Sequence, residues 1–591
     1  MASTLRDVRR PVDYMPARPG PSAPGAQAGR AHLLTFALEE YFNNFDWIID
    51  RSHWGRFERR VEHGTQRVLD LLDTHGQRAT FFCLGWIAEQ LPELVSEIAR
   101  RGHEVASKGH TQRPLASLTP AGLRDDLTRA RDAIEAVTGR RVLGYRAPGW
   151  MRPQDLWALD VLASEGYAYD SSVKPQFGFP AGDGAVGSQL GSVVALEGPR
   201  LWEVPVSSLR VAGQHVPVGA GNYSRQLPRW VMHRVVDRWE RTRAAPFHLY
   251  FHAWEFDAEQ PQVSAADWVA RQKFYRNLHR TPGVLGDYLA RYRFVTIAEH
   301  LGLAAEPVMA PAADIARWGA AGAPSVYHPD APPAARLPAR TGVSLVVPCY
   351  NEELALPYLA NTLASVREEL ARRYDIEFVF VDDCSTDRTA ETLARLFGAR
   401  ADCRVLRHAR NRGVAQAILT GAGAARHDVV ASIDCDCTYD PHELGRIVPL
   451  LTDGVDVVTA SPYHHGGAVR NVPSWRLTLS KGASALYRLV LRQQLHTYTS
   501  CFRVYRRSAV AGLELRHGGF LGVAEMLGRL DLAGSRVVEY PTTLNVRVLG
   551  HSKMKVARTV GGHLRLLTEL AVLRLRGAGR GARWNARWNA R

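Results

Sequence analysis

Along the chain, short apolar runs alternate with longer segments in which apolar positions recur every three or four residues. HLLTFAL (32–38) and ATFFCLG (79–85) precede the amphipathic stretch Leu91–Arg101, and VSLVVPCY (343–350), IEFVFVDD (376–383) and DVVASIDCD (428–436) accompany another, Pro357–Arg373. The short runs, rich in β-branched and aromatic residues, predict buried strands, and the three-to-four spacing predicts helices that bury one face. Strands alternating with helices predict α/β architecture in both halves. The pattern lapses in residues 1–30, which are rich in Pro, Gly, Ala and Arg, and again in 303–341, an Ala/Pro-rich stretch that reads as a linker. Two globular units are therefore expected, 31–302 and 342–575, with a basic tail at 576–591.

Composition narrows the function classes. A chain of 591 residues is too long for one core, and 46% hydrophobic with 23% charged residues is a globular balance. No apolar run reaches 18 residues and the N-terminal stretch has no apolar centre, so neither a membrane span nor a secretory signal is expected and a cytoplasmic location is. Cys435 and Cys437, in DCDC, lack partners at zinc-finger spacing and read as reduced thiols. The net charge of +15 admits nucleic acid, a membrane surface or phosphorylated substrates, and the lack of any helix-turn-helix, zinc-finger or RNA-binding motif sets nucleic acid aside. The acid-free tail LRLRGAGRGARWNARWNAR suits an anionic membrane at its inner face, or is a solvated terminus. Pro473–Leu495, with basic and apolar residues at helical spacing, either lies on a bilayer or packs on its own domain.

In the second half, acids stand where strands end: Asp382 and Asp383 after one, Asp434 and Asp436 after the next. Ligands of open α/β sheets bind beyond the carboxyl ends of the strands. Two aspartates one residue apart can supply oxygen ligands to Mg²⁺ or Mn²⁺, which grips a diphosphate. One such pair alone reads more readily as a solvated turn, but here VVPCYNEE, VDDCSTDRT, NRGVAQAILTGAGAA, SIDCD, TSCFRVYRR and RVLGHSKM follow in order. This series resembles glycosyltransferase family 2, in its dolichyl- or polyprenyl-phosphate mannose synthase branch, over nearly all of 342–570. The resemblance implies a GT-A (Rossmann-like) fold, a nucleotide-diphosphate sugar donor, inversion at the anomeric carbon and a polyprenyl-phosphate or cell-envelope glycan acceptor. It places Pro348, Tyr350, Glu352, Asp382 and Asp383 around the nucleotide, and Asp434 and Asp436 on the metal. Arg503, Arg547 and Lys553 would face phosphate, and Cys501 stands where many relatives have glycine. A phosphate acceptor is already ionised, so charge neutralisation should carry most of the transfer.

In the first half, LTFALEEYF, GHEVASKGHTQRPL, GYRAPGW, GYAYDSS, LWEVPVSS and YFHAWEF occur in an order that resembles the polysaccharide deacetylase family, over about 31–302. The resemblance implies a distorted (β/α) barrel. It also exposes departures: Ala37 stands where the family has its aspartate base, the acidic ligand falls on Glu39 with Glu40 beside it, and the two histidine ligands become Lys108 and Gln112. A metal is therefore not expected in this half. His110 lies two residues from each altered position. Arg146, Trp150 and Asp170 of the cleft remain, and His252 matches the family's general acid. Lys108 could place its ammonium near Glu39 or Glu40 in the metal's stead. Three readings stay open for this half: a metal-independent hydrolase using Glu39 or Glu40 with His252, a silent glycan-binding module, or a conventional deacetylase with an unusual loop. The whole is expected to be a membrane-peripheral fusion of a deacetylase-like domain with an inverting glycosyltransferase, the rival being a non-catalytic scaffold.

Overall fold

Every residue of the strand Ala31–Leu38 after the first is buried, as a continuous apolar run covered on both faces requires. It pairs in parallel with His248–His252 and with Thr80–Cys83, and its first residues also meet Arg293–Val295. From Thr80–Cys83 the sheet continues through Glu104–Ser107, Gly144–Tyr145, Tyr169–Asp170 and Arg200–Glu203, all parallel, and ends on the antiparallel Gly191–Val194. This curled sheet is the distorted (β/α) barrel of the first half. Helices Val61–Thr74, Pro92–Arg100 and Pro120–Thr138 cover it with Val68, Leu69, Leu72, Val95, Ile98, Leu123, Leu127 and Ile134, all in one core. In register, Ala37 stands opposite Phe82 and His252, and Cys83 opposite Ser107. The residues that leave these strands at their carboxyl ends are thereby delivered to one end of the sheet.

In this computed structural model the described residues are 30–173, 191–194, 200–211, 214–304, 341–472, 474–550 and 556–578. They fall into two units. Of these residues, the first holds those within 30–46, 59–260 and 268–304. The second is discontinuous, holding those within 47–58, 261–267 and 341–578.

The second unit is built on a seven-stranded sheet in the order Cys403–Arg407, Tyr374–Asp382, Thr341–Cys349, Val429–Ser432, Arg503–Arg506, Val457–Ser461, Val537–Pro541. The first four are parallel, whereas Arg503–Arg506 runs antiparallel to both of its neighbours. Parallel strands with helices between them form the Rossmann-like half of a GT-A fold. Helices Leu356–Leu370, Val414–Ala424 and Gly519–Ala533 pack on the sheet. The segment expected as a helix over 473–495 forms Ser474–Val490. It stops short because the backbone N–H groups of Arg492 and Gln493 turn to the Asp531 carboxylate, which replaces the intrahelical partners. Arg56, in the upstream part of this unit, places its Nη2 2.8 Å from Asp440 Oδ2, and Phe57 packs edge-on against Tyr358. No helix of the described residues is long and apolar enough to cross a membrane.

Candidate functional site

In the first unit Glu39 leaves the end of its strand fully buried, and four groups converge on it, the longest contact being Trp254 Nε1 to Oε1 at 3.4 Å. Lys108 Nζ lies 2.6 Å from Oε2, while His252 Nδ1 at 2.5 Å and Asn44 Nδ2 at 2.6 Å share Oε1. Burial alone would raise the Glu39 carboxyl, but the charges of Lys108 and His252 outweigh it and hold the group well below the usual carboxylate range. Burial is the largest influence on His252 and lowers its pKa, against the pull of Glu39. The other ring nitrogen, Nε2, is 2.8 Å from the Tyr250 hydroxyl, two residues back on the same face of the strand. Gln112, in left-handed backbone with φ of 54°, donates its Nε2 to Asn44 Oδ1 at 3.5 Å.

Other expected cleft residues lie elsewhere. Glu40 points to the opposite side, where its carboxylate accepts the backbone N–H groups of Arg60 and Val61 at the start of helix Val61–Thr74. It is a helix cap, apart from His252, and burial pushes it up to about 8. His110 turns away to Glu89, 2.9 Å from Nε2. Arg146 is sandwiched between the rings of Phe82 and Tyr250, 4.1 and 4.6 Å from their centroids, and donates to Thr35 Oγ1 and Ser171 Oγ. It therefore stiffens the Tyr250 that touches His252. Asp170 is bound to Ser172 through N–H and hydroxyl, and Trp150 stands exposed in the loop beyond Gly144–Tyr145.

The donor set around Glu39 does not fit the divalent ion that the family implies. A protonated lysine has no lone pair to give, and it already occupies one oxygen of the carboxylate with positive charge.

The second unit holds a cavity of about 750 Å³ beyond the carboxyl ends of its parallel strands. Pro348, Tyr350, Glu352, Asp383, Asp434, Asp436 and Arg547 all line it. Asp383 is fixed by three donors, His408 Nδ1 at 2.7 Å and the backbone N–H groups of Arg412 and Gly413 at 2.8 and 2.6 Å. Burial, with the neighbouring charge of Asp436, pushes Asp434 up to about 7. Arg547 bridges the two sides of the cavity, paired with Glu352 and with Nη1 3.4 Å from Asp436 Oδ2. These hard oxygen donors do fit a divalent cation, because Mg²⁺ and Mn²⁺ are commonly held by one or two carboxylates and complete their shell with phosphate and water.

Two expected members differ, and a third is not among the described residues. Asp382 is buried outside the cavity lining, accepting Ser385 N–H at 3.0 Å and lying 3.1 Å from Arg407 Nε. Arg503 is fully buried and spends its guanidinium on Val523 O, Tyr498 O and Thr459 Oγ1 at 3.0, 2.7 and 3.3 Å. It braces the strand from behind and does not line the cavity. Lys553 lies outside the described residues. Sequence reasoning missed the far wall, where Leu477, Leu486, Phe520, Val560 and Leu564 continue the cavity as an apolar groove. The signal was present in the apolar face of Ser474–Val490, but its partner helix, Val556–Ala578, is 66 residues or more downstream.

Family models match three stretches: polysaccharide deacetylase over 50–169, a domain of unknown function (DUF3473) over 179–302, and glycosyl transferase family 2 over 344–513. The chain is 32% identical over 230 residues to the dolichol-phosphate mannosyltransferase of Pyrococcus furiosus, covering 39% of this chain and 63% of that protein, just under two thirds of its length. It is 32% identical over 217 residues to the polyprenol monophosphomannose synthase of Mycolicibacterium smegmatis, covering 36% of this chain and 80% of that one. A crystal structure of glucosyl-3-phosphoglycerate synthase from Mycobacterium tuberculosis with Mn²⁺ and UDP-glucose is 20% identical, covers 40% of this chain and 78% of that chain, and gives a TM-score of 0.29. With four fifths of the M. smegmatis synthase covered at that identity, the chain belongs to glycosyl transferase family 2, here joined to an upstream unit that matches the polysaccharide deacetylase family.

Proposed function

We propose that the second unit transfers a sugar from a nucleotide diphosphate to a polyprenyl phosphate or a related envelope glycan, with inversion. One observation carries this reading: a single cavity joins the acidic pair Asp434/Asp436 and Arg547 to an apolar groove between two helices. A polar end of that kind suits a diphosphate, and the apolar end suits an isoprenoid chain. Pro348, Tyr350, Glu352 and Asp383 would enclose the nucleoside. Asp434 and Asp436 would hold Mg²⁺ or Mn²⁺, whose charge, when bound, offsets that developing on the leaving diphosphate. An acceptor phosphate oxygen attacks the anomeric carbon opposite the leaving group, the bond from that carbon to the diphosphate oxygen breaks, and Arg547 balances charge beside it. Trp475, Leu479, Leu489 and Leu575 are exposed on the two groove helices, which also carry Arg476, Lys481, Arg488 and Arg574. This composition supports a peripheral position on an anionic membrane.

In the first unit Lys108 takes the place of a metal ion. Metal-independent amide hydrolysis is favoured by the Glu39–His252 pair, since a carboxylate on Nδ1 orients a histidine for proton transfer. A glycan-binding role needs no such pair.

The test is a transfer assay with several nucleotide sugars, polyprenyl phosphate and Mn²⁺, run in parallel with N-acetylated glycan and acetate detection. Sugar-phospholipid that vanishes in chelator supports the transferase, and transfer undiminished in chelator overturns the metal assignment. Acetate released in chelator identifies the first unit as a hydrolase, and its absence leaves glycan binding.

A further inference from the structure

We infer that Ser264, on a segment remote in sequence from the transferase motifs, positions Arg547 in the donor cavity. The inference rests on the reading of the second unit as a transferase. The segment Pro261–Asp267 belongs to that unit although nearly 300 residues upstream of the loop it meets. Val263, fully buried, forms an antiparallel bridge with Leu549. Ser264 donates twice to one acceptor, its N–H at 2.8 Å and its hydroxyl at 2.9 Å from Val548 O. Leu549 in turn offers its carbonyl to Arg547 Nε at 2.8 Å, and the guanidinium goes on to Glu352 and Asp436. The chain of contacts therefore runs from the upstream segment through the backbone of 548–549 to the one cation of the cavity lining that touches both acids.

The loop has need of such a brace. Its near end is tied by Asn545 N to Thr438 O at 2.9 Å and Val546 N to Arg470 O at 3.1 Å. Its far end turns at Gly550, whose φ of 73° favours glycine and where a Cβ would lie 3.0 Å from Arg547 Nη2. Fixing an arginine side chain costs rotamer freedom, and a carbonyl that is itself held is the firmer anchor for Nε. Small displacements of a positioned charge reduce turnover steeply, because orientation contributes much of the rate.

Ser264→Pro removes both donors, Ser264→Ala removes the hydroxyl alone, and Ser264→Thr keeps both. Hydrogen exchange of peptides spanning 543–550 in the full chain is read first, since it needs no enzymatic activity. Exchange should quicken in Ser264→Pro, quicken less in Ser264→Ala, and remain as in the parent in Ser264→Thr, with an unchanged global unfolding midpoint. Turnover should fall about tenfold in Ser264→Pro with little change in the donor KM, and less than about twofold when the same change is made in an Arg547→Gln chain. Equal losses in the two backgrounds, or exchange in 543–550 that ignores Ser264, would overturn the positioning role. If Ser264→Pro fails to fold, the Ser264→Ala pair is read the same way. A parent chain that transfers no sugar, yet shows the exchange pattern, refutes the transferase reading and leaves the brace standing.

Discussion

Glu39 in the first unit and Asp434 in the second hold the same kind of position, each just past the carboxyl end of a buried parallel strand, yet their surroundings push them in opposite directions. Burial acts to raise both. For Glu39 the ammonium of Lys108 and the ring of His252 overcome it, and the carboxyl is held well below its ordinary range. For Asp434 the nearest strong charge is another carboxylate, Asp436, and the group is pushed up to about 7. In the first site a built-in lysine sits directly on the carboxylate. The second sets Glu352, Asp434 and Asp436 against one built-in arginine, Arg547, and keeps negative charge that an external cation would relieve. A strand-end acid thus marks a site for positive charge without saying whether the chain or the solution supplies it.

The comparison can be broken most sharply at Asp436. Asp436→Asn should lower sugar transfer by about 10³-fold, with the unfolding midpoint of the second unit unchanged, because it removes one of two oxygen anions available to the metal. Retained transfer at saturating Mn²⁺ would place the cation elsewhere. The matching change in the first unit, Lys108→Met, leaves Glu39 buried without its ammonium partner, beside His252, Asn44 and Trp254, and should destabilise that unit by about 3–5 kcal/mol in denaturant unfolding. Adding Glu39→Gln should recover part of the loss, and a double variant less stable than Lys108→Met would show that the pair is not the source.

The smallest effect belongs to Glu40. Its folded pKa of about 8 lies above the unfolded value of 4.5, so the fold favours the protonated form. The stability it contributes is full below about pH 4.5 and is lost as pH rises through about 8. Glu40→Gln should flatten that decline, leaving the first unit more stable than the parent at pH 8, with no gain at pH 4. Unfolding midpoints at the two pH values check the sign.

Much of the architecture was legible because periodicity and strand-end acids are local signals. The parallel strands around Leu34–Phe36 and Val379–Val381, and the acids at strand ends, follow from runs of fewer than ten residues, whereas the gathering of Pro348, Tyr350 and Asp383 with Asp434 and Asp436 was implied by the resemblance to glycosyltransferase family 2. What was not legible depended on which way a side chain turns. Glu39 and Glu40 are adjacent, and only the turn after the strand decides that one meets Lys108 while the other caps a helix. Arg503 sits in a motif that invites a phosphate, but the start of its antiparallel strand aims it into protein, where backbone carbonyls consume its donors. The apolar groove needed two helices brought together, and no periodicity links separate stretches of chain.

The discontinuity of the second unit has a consequence in time. Arg56 and Asp440 are 384 residues apart. At a synthesis rate of about 5–20 residues per second, the arginine waits roughly 20 to 80 s before its aspartate leaves the ribosome. During that interval Trp47–Glu58 must stay available, so the order of emergence forbids the nascent chain from completing its second unit as an independent late event, and ties its maturation to a piece made near the beginning.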